Sequence, residues 1–196
     1  METMDSMNSI VSIGALWLPI LLSAVAVFII SSLIHMVLGY HKNDYVGLPN
    51  EKAVMDDLRK YNIPPGDYHF PHANSMKDMG SPEFLDKMKQ GPIGIMTIIK
   101  SSGKPGLSKE LTLWFLYSVL VSIFAAYVAG RAVGNEYEYL EVFRFSSVTA
   151  FVGYSLALFQ TSIWYKRKWS TTFKTMFDGF LYALVTGGIF GWLWPV

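Results

Sequence analysis

Four long apolar stretches constrain the fold of this 196-residue chain more than any other feature. A hydrocarbon layer about 30 Å thick is crossed by a helix of about 20 apolar residues, because a helix satisfies its own backbone hydrogen bonds in lipid. Stretches of this length run over residues 13–38, 111–130, 146–165 and 177–194, and none has a charge near its middle. The sequence therefore predicts an all-α integral membrane protein with four transmembrane helices.

The composition agrees with a membrane protein and excludes several classes of function. With 52% hydrophobic and only 16% charged residues, the chain is too apolar for an ordinary soluble domain. A net charge of +1 provides no basic surface for nucleic acid, so no nucleic-acid partner is expected. The absence of cysteine excludes disulfides, thiolate metal sites and thiol catalysis.

The apolar stretches divide the chain into an N-terminal transmembrane helix (1–39), a loop (40–110) and a three-helix transmembrane bundle (111–196). Lys and Arg residues close to span ends are retained on the cytoplasmic side. The loop holds ten of them and the connection before the last stretch holds four, whereas the second connection holds two and the termini none. We therefore expect a cytoplasmic loop, with the N-terminus and the C-terminus outside.

The 40–110 loop has sequence signals for short helices. Asn50 can cap one amphipathic helix, and a second is predicted from Ser81 to Gly91 with Pro82 in its first position. The apolar segment 93–99 is too short to cross a membrane, which leaves a strand or a segment in the headgroup layer. We favour the headgroup layer for this possible interfacial segment.

Small residues recur at every fourth position in the last three apolar stretches. Small side chains let helix backbones approach closely in lipid, where burial of large apolar side chains against one another gains little. We therefore predict that these ridges pack three helices into one bundle, and that a ridge or the first helix joins copies of the chain or a larger membrane complex. The ridge residues are Ser118, Ser122, Ala126, Gly130 and Gly134 in the second stretch, Thr149, Gly153, Ala157 and Thr161 in the third, and Gly179, Ala183, Gly187 and Gly191 in the fourth.

One loop segment has the character of a metal site. His69, His72, Met76 and Met79 supply imidazole and thioether groups, which together suit Cu(I). Pro71 prevents the helical spacing of a zincin pair, and cytoplasmic copper sites usually use cysteine. We therefore prefer an interpretation in which these side chains pack or form hydrogen bonds at the surface.

His35 and Gln160 are candidates for a polar site inside the membrane, where ionisable groups are usually functional. Haem ligation by His35 would require a histidine from another chain, because no second histidine lies in a predicted span. A polar anchor at the membrane interface is the preferred interpretation. Asp178 lies four residues after Lys174, so we expect these two residues to form an ion pair on one helix.

The sequence contains no phosphate-binding glycine loop, no HExxH and no G-x-S-x-G, and we expect no catalytic residues. The leading hypothesis is a non-catalytic membrane subunit or scaffold that self-associates or docks on a larger membrane complex, without a cofactor. Two alternatives remain open: a small oligomeric channel or transporter, and a carrier of a metal such as copper or of haem.

Overall fold

The computed structural model describes residues 10–101, 103, 106–134 and 137–195, so the predictions for residues 1–9 lie outside the described residues. The described chain forms two compact units. One unit, which we call the helical unit, contains the chain up to Tyr45 and from Gly106 onward. The other, the loop unit, runs from Val46 to Pro105. The protein is thus mostly helical, but it contains a small two-stranded sheet, so the all-α prediction was correct only in part.

Three helical segments are long and apolar enough to cross a membrane: Ile13–Leu38, Ser108–Ala132 and Tyr139–Ile163. The first consists of a 3-10 turn, helix α1 (Trp17–Leu33) and a π-helical end (Ile34–Leu38). These segments support the assignment of the chain as a membrane protein.

The second and third segments differ in continuity. The second is one uninterrupted helix, α5 (Ser108–Ala132). The third begins seven residues before the predicted start and is broken into α6 (Tyr139–Tyr154), a 3-10 turn (Leu156–Leu158) and α7 (Phe159–Ile163). The fully buried Ser155 lies at this break, and its hydroxyl donates to the backbone oxygen of Met176 at 3.1 Å. Irregular backbone at membrane depth is tolerated where protein buries it, as here.

The fourth predicted span lies in helix α8 (Trp169–Trp192), which has the length to cross a membrane but is not among the segments that are also apolar enough. Helix α8 packs against α6 and α1, and many of its residues are shielded by these neighbours. Two charged residues, Lys174 and Asp178, lie in its first half and reduce its mean hydropathy. Its buried residues are Thr171, Thr172, Asp178, Gly179, Tyr182, Ala183, Thr186, Gly187, Phe190 and Gly191.

Glycines of α8 allow the close approach of α6. A Cβ atom added at Gly187 would lie 2.8 Å from Ser147 Cβ and 2.9 Å from the backbone oxygen of Phe143. Added Cβ atoms at Gly179 and Gly191 would likewise be closer than 3 Å to side-chain atoms of the facing segment. This interface therefore depends on small residues, as helix packing in lipid requires.

The predicted ridges differ in where they lie. All ridge residues of the second and fourth stretches are buried. In the third stretch, Thr149, Gly153 and Thr161 are half-buried and Ala157 is exposed. The buried positions of α6 are Val142, Ser146, Ala150 and Tyr154. Before the break, the buried face of α6 is offset by one residue from the small-residue ridge. After the break at Ser155, the regular helical spacing on which the prediction depends no longer holds.

The described part of the loop unit contains three helices and a two-stranded antiparallel sheet. Its elements in chain order are α2 (Glu51–Lys60), β1 (Gly66–Phe70), α3 (Met76–Met79), α4 (Pro82–Gln90) and β2 (Gly94–Ile98). The strands pair antiparallel, with Gly66 opposite Ile98. Segment 93–99 thus contains a paired strand, the first of the two structures that its sequence allows. Ser81 caps α4 by accepting a hydrogen bond from Phe84 N at 3.2 Å, whereas Asn50 has a left-handed backbone and makes no side-chain cap.

Candidate functional site

Polar side chains from the first and last helices of the helical unit meet at one end of the bundle. The π-helical end of the first segment and the turn after it supply four of them, and α8 supplies two. We call this group the end cluster. Its members are His35, Tyr40, His41, Asp44, Lys174 and Asp178.

His41 bridges two carboxylates in the end cluster. Its Nδ1 lies 2.5 Å from Asp44 Oδ2, and its Nε2 lies 2.8 Å from Asp178 Oδ2. The Tyr40 hydroxyl donates a hydrogen bond to the other oxygen of Asp178. The Asp178 side chain is only 1% exposed, so these contacts replace most of its hydration. A buried carboxylate is tolerated when it is paired and hydrogen-bonded in this way.

Lys174 pairs with Asp44, and the expected pair between Lys174 and Asp178 was therefore wrong. The ammonium donates to Asp44 Oδ1 at 2.9 Å and to the backbone oxygen of Tyr40 at 2.8 Å. Burial opposes ionisation of Asp44, but hydrogen bonds and attraction from His41 and Lys174 outweigh it and lower the pKa of Asp44. Helical spacing alone could not show that residues in the turn after the first segment pair with both Lys174 and Asp178.

His35 completes the end cluster. Its Nδ1 lies 3.0 Å from the backbone oxygen of Ser31, and since a carbonyl only accepts, Nδ1 carries the proton. The ring stacks on His41 with 4.7 Å between centroids and 2° between planes. Ligand atoms of His35, His41 and Asp178 all lie within 4.8 Å of one another. Within the described residues, this is the one group of three or more histidines and carboxylates close enough to share a metal ion.

The other predicted site residues belong to other elements of the chain. His69 is on β1, where its Nδ1 lies 3.1 Å from the backbone oxygen of Pro71, and His72 lies two residues after the end of this strand. Met76 and Met79 are 84% and 49% exposed. All four belong to the loop unit, and Gln160 is an exposed residue of α7. Of these candidates, His35 alone belongs to a group of three or more histidines and carboxylates within the described part of the chain.

The loop unit presents a second feature of functional interest, which is its lack of a buried core. No described residue of this unit is buried. Its best-shielded apolar side chains include Val54, Leu58, Phe84 and Met88, and each of these is only half-buried. Large apolar side chains on its surface include Leu48, Met55, Tyr61, Met76, Leu85, Ile93, Ile95 and Ile99.

Comparisons with protein-family models, with curated proteins and with solved structures found no match. The end cluster and the surface of the loop unit are therefore the features that bear on function.

Proposed function

We propose that this chain is a non-catalytic membrane subunit that crosses the bilayer four times and docks, through the loop unit, onto another protein of a membrane complex. The observation that carries the proposal is the ordered secondary structure of the loop unit without a single buried residue in its described part. A unit of about 60 residues is close to the smallest that a core of its own can hold together. Docking of a partner would bury the apolar side chains that the unit leaves exposed.

The charges of the loop unit favour a protein as the partner. The unit contains eight Lys and Arg residues and seven Asp and Glu residues, which nearly cancel. Attraction to anionic lipid headgroups requires a clear excess of basic residues. Apolar side chains surrounded by charges of both signs are instead typical of a protein interface, with an apolar centre and a polar rim. The expected partner therefore has an apolar patch within a surface of mixed charge.

Helix α8 supplies the fourth crossing in this proposal. Its 24 residues extend about 36 Å, which is enough for the hydrocarbon layer. Its charged residues Lys174 and Asp178 both lie in the first half of the helix, where the end cluster pairs them. With four crossings, the distribution of Lys and Arg orients the loop unit toward the cytoplasm and both termini toward the outside.

Replacement of Leu85 by Asp tests the docking proposal. Leu85 is 48% exposed on α4, so a charge there should leave the fold of the unit intact while it disrupts an apolar contact with the partner. The particle obtained by gentle extraction should have a greater mass than one chain with its bound detergent. In the Leu85→Asp variant, the mass of the particle should fall to that of one chain with its bound detergent.

Lys87→Asp is the matched control, since Lys87 is exposed on the opposite side of the same helix and the control introduces the same side chain. This variant should retain the large particle. A parent particle that contains one chain alone would refute the proposal. A particle made only of copies of this chain would also contradict docking on another protein and would show self-association instead.

A small oligomeric channel or transporter is the second candidate, and the break at Ser155 favours it. Interrupted helices are a common feature of transporter binding sites. In addition, the buried hydroxyls of Ser23, Ser122 and Tyr182 have no hydrogen-bond partner among the described residues, and such groups are expensive to leave unpaired in lipid. Ion flux through liposomes that contain the purified chain alone would favour this candidate over the docking subunit.

A further inference from the structure

We propose that His35, His41 and Asp178 form a binding site for Zn²⁺ at the end of the helical unit. The site lies outside the loop unit, so it does not depend on the docking proposal. It also differs from the copper site suggested by His69 and His72, which lie elsewhere in the chain.

The three side chains have the chemistry of a zinc site. Imidazole nitrogen and carboxylate oxygen are the donors of many zinc centres that have three protein ligands. Cu(I) prefers thiolate and thioether ligands, and the end cluster contains neither. Three protein ligands leave one position of a tetrahedral Zn²⁺ ion for water or another small ligand. His35 is exposed, so this position can be reached from the side of its ring.

Each of the three side chains already has a hydrogen-bond partner at a second atom. His35 Nδ1 donates to Ser31 O, which leaves Nε2 available for a metal. His41 Nδ1 contacts Asp44, and its Nε2 faces Asp178. Such outer contacts fix the orientation of the ligating atoms and are a regular feature of histidine metal sites.

Asp178 and the outer contacts of the cluster follow the same pattern. One oxygen of Asp178 accepts from the Tyr40 hydroxyl, and the other faces His41. Asp44, the outer partner of His41, is itself held by Lys174. A carboxylate that orients a metal-binding histidine is a recurring arrangement in zinc proteins. The end cluster thus has both the ligands and the surrounding contacts of a metal site.

Binding requires a small adjustment that the local structure permits. Ligand atoms around tetrahedral Zn²⁺ lie about 3.3 Å apart, and the present ones all lie within 4.8 Å of one another. Zn²⁺ would take the place of the proton between His41 Nε2 and Asp178 Oδ2, which are 2.8 Å apart, and this proton would be released to solvent. His35 is the ligand best able to move, because it is exposed and belongs to the π-helical turn Ile34–Leu38. Single π-helical turns occur frequently at functional sites. Zn²⁺ should draw the His35 ring out of its stack with His41.

The test is calorimetric titration of Zn²⁺ into the purified, chelator-treated full-length protein, prepared without a histidine tag. We expect one Zn²⁺ per chain and a Kd in the micromolar range or tighter. His35→Gln should weaken binding at least tenfold, because it removes one of three ligands. His35 is the most exposed of the three ligands, so this variant should keep the elution profile and helix content of the parent.

The chain has only four histidines, so the two that lie outside the proposed site can be replaced together as a matched control. The double variant His69→Gln/His72→Gln removes the other two and should bind Zn²⁺ with the stoichiometry and affinity of the parent. The proposal is overturned if the parent binds no stoichiometric Zn²⁺, if folded His35→Gln binds as tightly as the parent, or if the double variant loses binding.

Discussion

Replacement of Gly187 by Leu should destabilise the helical unit by about 3 kcal/mol, at the upper end of the usual cost of overpacking. Even a single added carbon would lie 2.8 Å from Ser147 Cβ and 2.9 Å from the backbone oxygen of Phe143. Backbone atoms of a packed helix cannot rotate away, so α6 and α8 must separate along this interface. The midpoint of thermal unfolding in detergent should fall accordingly.

The adjacent Gly188 provides the control for this experiment. A Cβ atom there would meet only the Tyr139 hydroxyl, at an ordinary distance of 3.9 Å. Gly188→Leu adds the same side chain to the same turn of α8 and should leave the midpoint close to that of the parent. Equal midpoints for Gly187→Leu and the parent would show that α6 and α8 do not pack as described.

Asp178→Ala should also destabilise the helical unit by about 3 kcal/mol, the usual cost of removing one member of a buried charge pair. The substitution leaves His41 and Tyr40 without their shared partner in a largely shielded position. It also removes contacts that join the turn after the first segment to α8. Chemical or thermal unfolding of the purified protein, measured in the presence of a chelator, gives the difference directly.

The control for Asp178→Ala is a carboxylate in an exposed ion pair. Asp56 pairs with Arg59 on α2, and the two side chains are 52% and 63% exposed. Exposed pairs contribute between nothing and about 1 kcal/mol. Asp56→Ala should therefore change stability little, and an equally small effect of Asp178→Ala would contradict the structural role of the end cluster.

The apolar stretches were sufficient to predict a membrane protein, because the thickness of the hydrocarbon layer fixes the length of an apolar helix. They could not locate the break at Ser155, since the residues around it remain apolar. They also placed the start of the third helix at Ser146, whereas α6 begins at Tyr139. Charged residues on the first turns of α6 had concealed this extension, although Glu141 and Arg144 are accommodated on its exposed face.

The end cluster could be predicted only in part. His35 was identified because it is the one histidine within an apolar stretch. Its partners could not be assigned, since the contact between His41 and Asp178 spans 137 positions of the chain. Local spacing instead favoured the pair of Lys174 with Asp178. One signal in the sequence could have indicated the cluster. Polar residues follow the first apolar stretch and precede or begin the last one, and two adjacent helices of a bundle can bring these two ends together.

Labelling of single cysteines in intact cells tests the central claim, which is the membrane topology. The chain contains no cysteine, so variants Lys77→Cys, Glu138→Cys and Lys166→Cys each carry one reactive thiol at an exposed position. A membrane-impermeant maleimide should label Glu138→Cys in intact cells, and the other two only after permeabilisation. Labelling of Lys77→Cys and Glu138→Cys from the same side would contradict a crossing by α5, and with it the four-helix arrangement.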